Sequence, residues 1–300
     1  MKNKKFEIIN LANYHYYPPK HLQDNLEKII IFPENNKKYD IPNGSVFIYN
    51  KKSYYKPEIL KSDVGCGMTS FITEYIDIDK KFIKELSDYL DKENINLGGG
   101  NHFLNIAEEH PLISDTGYPS NNYSQIIVHT DFNLEKYTPK NYKEAKDMIK
   151  NTRKKRVNLL YKLTKSLGIN GEFYKDWTHN TVEIEDNKFV YRKGAINLKK
   201  TKNMGLLALN HYDGFFFYIS EFEEYKNSMQ HGTGKKNEIK TIYNEIKKIK
   251  YGKKIFYLPE KSSKPKDLYK EYNRPSIFYD KFNLEFLPLG ISKNRLVIKF

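Results

Sequence analysis

Asp63-Val64-Gly65-Cys66-Gly67-Met68 holds the only cysteine of a 300-residue chain, with a carboxylate three residues upstream and a glycine on each side of the sulfur. Glycine admits backbone angles that other residues avoid, so a tight loop of this make-up can turn a thiolate and a carboxylate toward one cation. Alone, the hexapeptide reads as well as a packed thiol, because free cysteine is among the most buried residue types. Working outward, Thr69 to Tyr75 has the make-up of a strand leaving the loop. Asp79 then stands where it can cap a helix in which Phe82, Leu86 and Tyr89 recur at four and three.

Histidines appear further along in comparable settings. Gly98-Gly99-Gly100-Asn101-His102-Phe103-Leu104 opens a strand with a histidine beside an asparagine. Ile126-Ile127-Val128-His129 ends an apolar strand on a histidine, and Trp177-Thr178-His179-Asn180 repeats the His–Asn pair. Gln230-His231-Gly232-Thr233-Gly234-Lys235 sets His231 in a glycine-rich turn ahead of a lysine-rich helix. His15, His21, His110 and His211 lie in no such setting and read as structural. A strand-end histidine taken singly is more often hydrogen-bonded scaffold than ligand, so the weight falls on the set. Asp63, Cys66, His102, His129 and His179 supply one carboxylate, one thiolate and three imidazoles, the donors for one or two divalent transition ions, with a thiolate able to bridge two. Their spread from position 63 to position 179 excludes a finger or ribbon, so the fold must assemble the site. Ligand type leaves zinc, iron, cobalt and manganese open. His231 differs in kind: the N–H groups of its turn can face a phosphate, which makes its imidazole a candidate nucleophile toward phosphorus.

The rest of the chain fixes the class. Short apolar runs separated by Pro, Asn and Gly over residues 6–60 read as strands and loops, and further strand-like segments lie at 126–129, 181–191, 205–219 and 284–299. Tyr142, Ala145, Ile149, Leu160, Leu163 and Leu167 mark a long helix or helix pair. Its basic cluster Arg153-Lys154-Lys155-Arg156 reads as a solvated face before it reads as a phosphate path. Ile239, Ile242, Ile246 and Ile249 mark another helix. Helices and strands mix without a βαβ rhythm, which gives an α+β chain forming one domain over residues 1–300. Lys plus Arg number 51 against 37 for Asp plus Glu, a formal charge of +14 that favours polyanionic partners only mildly, since the lysines are scattered through Asn-, Ile- and Tyr-rich sequence. A single cysteine excludes an intrachain disulfide framework. With no apolar run of signal or membrane-span length, a soluble cytoplasmic protein without membrane attachment is expected.

The order of these motifs carries a resemblance. Asp-x-Gly-Cys-Gly-Met, Gly-Gly-Gly-Asn-His-Phe-Leu, a strand-end His, His-Asn, Arg192-Lys193-Gly194-Ala195, Met204-Gly205, His-Gly-x-Gly and the ending Leu287-Pro288-Leu289-Gly290 with Leu296-Val297-Ile298-Lys299 resemble the RtcB family of RNA ligases, in the family's order. The resemblance implies an RtcB-like fold of mixed β-sheets flanked by helices around a dinuclear metal cleft. It also implies a monomer that uses GTP and two Mn(II) ions to join RNA 3′-phosphate or 2′,3′-cyclic phosphate ends to 5′-hydroxyl ends, in RNA repair or tRNA splicing. By position, Asp63, Cys66, His102, His129 and His179 match the manganese ligands, with Cys66 bridging, and His231 matches the histidine that takes GMP. Asn101 and Asn180 match nucleotide-contacting asparagines, and Lys299 matches a lysine at the guanylate. Asn105, Asn203, Met204 and Ala208 fall at nucleotide-binding positions, and Gly232 and Gly234 belong to the nucleophile's turn.

Departures from the family pattern lie in the nucleotide-reading set. The run after the strand-end histidine, normally Gly-Ser-Arg, is Thr130-Asp131-Phe132-Asn133, which removes a phosphate-binding arginine and puts an acid near the site. Asn105 stands for a glutamate, Asn203 and Ala208 for serines, and Lys235 for an arginine whose fork a point charge does not reproduce. The retained ligands and His231 favour a ligase. The alternative is a divergent, non-ligating relative that binds RNA or nucleotide, or a metal-dependent phosphoesterase.

Overall fold

The computed structural model describes residues 6–12, 14–34, 37–38, 40–50, 52–111, 123–209, 214–234, 247–259 and 286–300. Strands dominate, and among the described residues only Lys80–Lys92 and Tyr142–Ser166 form α-helices longer than four residues. The larger sheet runs Met204–Ala208, Phe215–Ser220, Phe286–Lys299, Phe103–Pro111, Tyr123–Thr130, Gly67–Glu74 and Gly171–Thr178, with the hairpin Lys247–Tyr251/Lys254–Leu258 joined at Phe286–Lys299. The second sheet runs Glu7–Asn10, Leu26–Ile31, Ser45–Asn50, Lys188–Lys193 and Asn180–Glu185, with its first pair parallel and the others antiparallel. Ala195–Asn197 and Ser228–Gln230 form a separate pair.

Successive side chains on a strand point to opposite faces, and here both faces are covered. In Ser45–Asn50, Val46 and Ile48 enter a core between the sheets, while Phe47 and Tyr49 enter a second core with Leu22, Ile29 and Tyr191. That double burial explains a continuous apolar run without alternation. In Tyr123–Thr130, Ile126 and Val128 pack against Leu86, Leu90, Leu160 and Leu163 of the two helices, whereas Ile127 faces the inter-sheet core. His129, two residues beyond Ile127, therefore falls on the inter-sheet face.

Both helices start on side-chain caps. Asp79 Oδ1 accepts from Phe82 N at 2.7 Å, and Asn141 Oδ1 accepts from Glu144 N at 2.9 Å. The residues from Tyr142 to Ser166 make one continuous helix. Two expectations change. Most of the helix expected over 239–249 lies outside the described residues, and its described end, Lys247–Tyr251, is a strand whose Ile249 and Tyr251 share the less exposed face. The cluster Arg153 to Arg156 is a solvated face only in part, because Arg156 is fully buried. No helix among the described residues is long and apolar enough to cross a membrane.

Candidate metal centre

Cys66 sits where a single 3₁₀ turn, Lys61–Asp63, gives way to the strand Gly67–Glu74. Both flanking glycines answer to close packing. Gly65 has φ +81° and lies against the backbone of Ile149 in the long helix, and a Cβ on Gly67 would stand 2.6 Å from Arg156 Nη2. The Cys66 carbonyl accepts from His179 N at 3.0 Å and Asn180 N at 3.2 Å, which ties the cysteine loop to the turn between two later strands.

Three imidazoles converge on this sulfur. Cys66 Sγ lies 3.3 Å from His129 Nε2 and 3.5 Å from His102 Nε2, and His129 Nε2 lies 3.2 Å from His179 Nε2. Cys66, His129 and His179 form one buried triad with ligand atoms within 4.8 Å of one another; Cys66, His102 and Asp131 form a second on the same criterion. The sulfur is common to both. His129 Nδ1 faces the Asn101 carbonyl at 2.9 Å, and His179 Nδ1 faces the Trp177 carbonyl at 3.2 Å. A carbonyl only accepts, so each Nδ1 carries the proton and each Nε2 lone pair points into the cluster, as a ligating histidine requires. Burial pushes the pKa of both rings well down, helped by the neighbouring histidines, so both are neutral at physiological pH. A thiolate with neutral imidazoles and a carboxylate suits a divalent transition ion.

His231 lies beside the cluster, its ring stacked on His179 with centroids 3.9 Å apart. Its Nδ1 donates to the Gly194 carbonyl at 2.9 Å with Glu34 Oε2 alongside at 3.2 Å, so in the neutral ring the lone pair sits on Nε2. Burial lowers the pKa of this ring, but the Glu34 carboxylate outweighs burial and the net shift is upward. Glu34 is itself buried and held by Asn43 Nδ2 at 2.6 Å.

The other expected site residues divide. Asn101, Asn105, Ala208, Gly232, Gly234 and Lys299 line one cavity of about 420 Å³ that also exposes His102, His129 and His231. Lys299 Nζ donates to the carbonyls of His102 at 3.0 Å and Gly100 at 3.3 Å. Asn105 is fully buried with its amide donating to Asn294 Oδ1. Ala208 N donates to the His231 carbonyl at 2.7 Å. Gly234 has φ +75° and touches the Glu34 backbone so closely that no Cβ fits. Asn180 works as scaffold: its Oδ1 accepts from Gly194 N at 2.5 Å. Asn203 and Met204 lie off the cavity; Asn203 donates to Glu221, and Met204 Sδ accepts from the Tyr174 hydroxyl at 3.3 Å. Asp63 is absent from both triads, and its Oδ2 is bonded to the fully buried Lys193 Nζ at 2.6 Å. Lys235 and His211 lie outside the described residues.

Two participants, Glu34 and Arg156, escaped the sequence reading, and a third, Asp131, was read there only as an acid near the site. Glu34 follows an apolar strand and carries no local signal. Asp131 had one: it stands two residues after His129, the spacing that puts neighbours on the same face. Arg156 was hidden in a basic run. A scan of the sequence against protein-family models returns no match, and neither does a search of curated proteins.

Proposed function

We propose that this chain is an RtcB-type RNA ligase, joining RNA 3′-phosphate or 2′,3′-cyclic phosphate ends to 5′-hydroxyl ends with GTP and two Mn(II) ions. The observation that carries the reading is one sulfur shared by two donor triads, with His231 stacked against one of them and the lone pair of its neutral ring on Nε2. In this scheme Cys66, His129 and His179 would hold one ion, and Cys66, His102 and a carboxylate would hold the other. Bound divalent ions supply positive charge that stabilises the phosphoryl oxygens as bonds to phosphorus change. His231 Nε2 attacks the α-phosphorus of GTP, and pyrophosphate leaves. The Gly194 carbonyl and the Glu34 carboxylate at Nδ1 keep the imidazole oriented and stabilise the positive charge that the ring gains as the N–P bond forms. The guanylyl group then passes to the RNA 3′-phosphate, and attack by the 5′-hydroxyl releases GMP. Lys299 and the turn Gly232–Gly234 border the cavity in which the nucleotide would lie.

A second reading is a non-ligating relative that binds nucleotide or RNA, or cleaves a phosphoester. Asn105 favours it, since a buried amide tied to Asn294 stands where a nucleotide-reading carboxylate is expected. Incubation with Mn(II) and α-labelled GTP separates the two. A label that survives denaturation and is lost in His231→Ala is the expected result; no label with GTP or any other nucleoside triphosphate sinks the ligase.

A further inference from the structure

Two carboxylates compete for the second ion, and their surroundings differ. Asp63 Oδ2 receives the Lys193 ammonium at 2.6 Å, and that ammonium, fully buried, also donates to the Leu60 carbonyl at 3.2 Å. With Oδ2 on that ammonium, a cation bound at Asp63 would sit beside a second, fully buried positive charge, which is unfavourable away from water. Asp131 is held the other way. Its Oδ1 accepts from Asn133 N at 2.8 Å, while its Oδ2 faces His102 Nε2 at 3.9 Å. An ion bound at about 2.0–2.3 Å by each donor keeps its donors roughly 3–4 Å apart, which the Cys66–His102 separation of 3.5 Å and the His102–Asp131 separation both meet.

The loop that presents Asp131 is braced on three sides. Thr130 Oγ1 donates to the Leu97 carbonyl at 2.7 Å and accepts from Phe132 N at 2.9 Å. Asn133 Nδ2 donates to the Ser62 carbonyl at 2.7 Å, which anchors the loop to the segment just before Cys66. Phe132 adopts φ +53°, a conformation that a bulky side chain keeps only where the surroundings impose it. We infer that Asp131, and not Asp63, is the carboxylate ligand of the second cation. The end of the strand Tyr123–Thr130 then serves both ions, with His129 on one side of the Cys66 sulfur and Asp131 on the other.

This inference rests on the paired-cation reading above, and a metal count tests it apart from ligase activity. The full chain, stripped by chelation, is titrated with Co(II), followed by thiolate-to-cobalt absorption and by equilibrium dialysis. The wild type is expected to take two equivalents. Asp131→Asn keeps one, with its thiolate band, and binds the second more than about 100-fold more weakly, beyond what loss of an outer-shell partner produces. Asp63→Asn combined with Lys193→Met removes both buried charges and keeps two equivalents. Asp131→Cys adds a second thiolate-to-cobalt contribution, a gain that a purely structural role would not produce and that serves as readout should the Asn variant misfold. The inference is overturned by two tight equivalents in Asp131→Asn, by loss of one in the Asp63/Lys193 variant, by no added band in Asp131→Cys, or by a wild type that binds a single ion. A positive metal result with no guanylate label would discard the ligase and leave this assignment standing.

Discussion

Arg156 is the residue on which the donor geometry turns, though it contributes no ligand. Its Nη1 donates to the carbonyls of Gly65 at 2.6 Å and Thr130 at 3.0 Å, and its Nη2 donates to Thr178 Oγ1 at 2.7 Å and Asp176 Oδ2 at 2.9 Å. Gly65, Thr130 and Thr178 are the chain neighbours of Cys66, His129 and His179. One planar fork thus sets the spacing of three segments that meet from distant parts of the sequence, a task for which a lysine's single point of charge is unsuited. Arg156→Lys is expected to lower stability by about 2–3 kcal/mol, the cost of several charge-assisted hydrogen bonds. It should also weaken Co(II) binding at the Cys66/His129/His179 triad. Urea unfolding of the chelated protein checks the first effect and cobalt titration the second; unchanged values in both would reduce Arg156 to filler. Glu34 plays a comparable part for His231, through a single contact. Neither residue was legible, because a buried arginine in a basic run and a lone acid after a strand look the same in sequence as their solvated counterparts.

At the scale of elements, legibility followed periodicity. The helix from Lys80 was readable because Asp79 precedes an apolar face repeating at four and three, and that cap forms as expected; the helix from Tyr142 was readable from its apolar spacing alone, and its cap, Asn141, was not foreseen. The strand ending at His129 was readable as an apolar run, and its parity could have shown that His129 and Asp131 share a face. Convergence of the distant His–Asn motifs was read from their donor types and then from the resemblance, since the pairing of strands far apart in sequence leaves no local mark. The stretch Lys247–Tyr251 misled because Ile246 and Ile249 continue a helical spacing, while hairpin pairing with Lys254–Leu258 imposes a period of two. The glycines of the cysteine loop were read as conformational freedom, yet Gly67 is constrained by space. Its missing Cβ would meet Thr178 Cα at 2.7 Å as well as Arg156, whereas a Cβ on Gly99 meets nothing within 4 Å. Gly67→Ala is therefore expected to destabilise by about 1–3 kcal/mol through overpacking, and Gly99→Ala to stay within about 0.5 kcal/mol of the wild type. Equal urea midpoints for the two variants would contradict the packing argument.

Across the whole molecule, the face of the second sheet away from the metal centre is lined by tyrosines, and this sets how the protein meets alkali. Tyr16, Tyr49 and Tyr191 lie in its core, with Tyr14 and Tyr55 packed against it. Burial raises the pKa of all five, that of Tyr14 to about 12, with nearby acids or other tyrosines adding to the effect. A tyrosine in the unfolded chain loses its proton near pH 10. Above that pH the folded state binds more protons than the unfolded one, so stability falls as pH rises from about 10 through the raised folded values, and it is fully present below 10. Tyr55 isolates the effect. Its hydroxyl is buried without a hydrogen-bond partner among the described residues, so Tyr55→Phe removes an ionisable group and forfeits no bond. The variant should match or slightly exceed the wild type in urea at pH 8 and lose less stability between pH 9.5 and 11.5. Comparing the two chains cancels the lysines, which begin to titrate in the same range in both. Parallel urea-midpoint curves over that range would mean that Tyr55 ionises alike in the folded and unfolded chain, and the buried-tyrosine account of alkaline unfolding would fail with it.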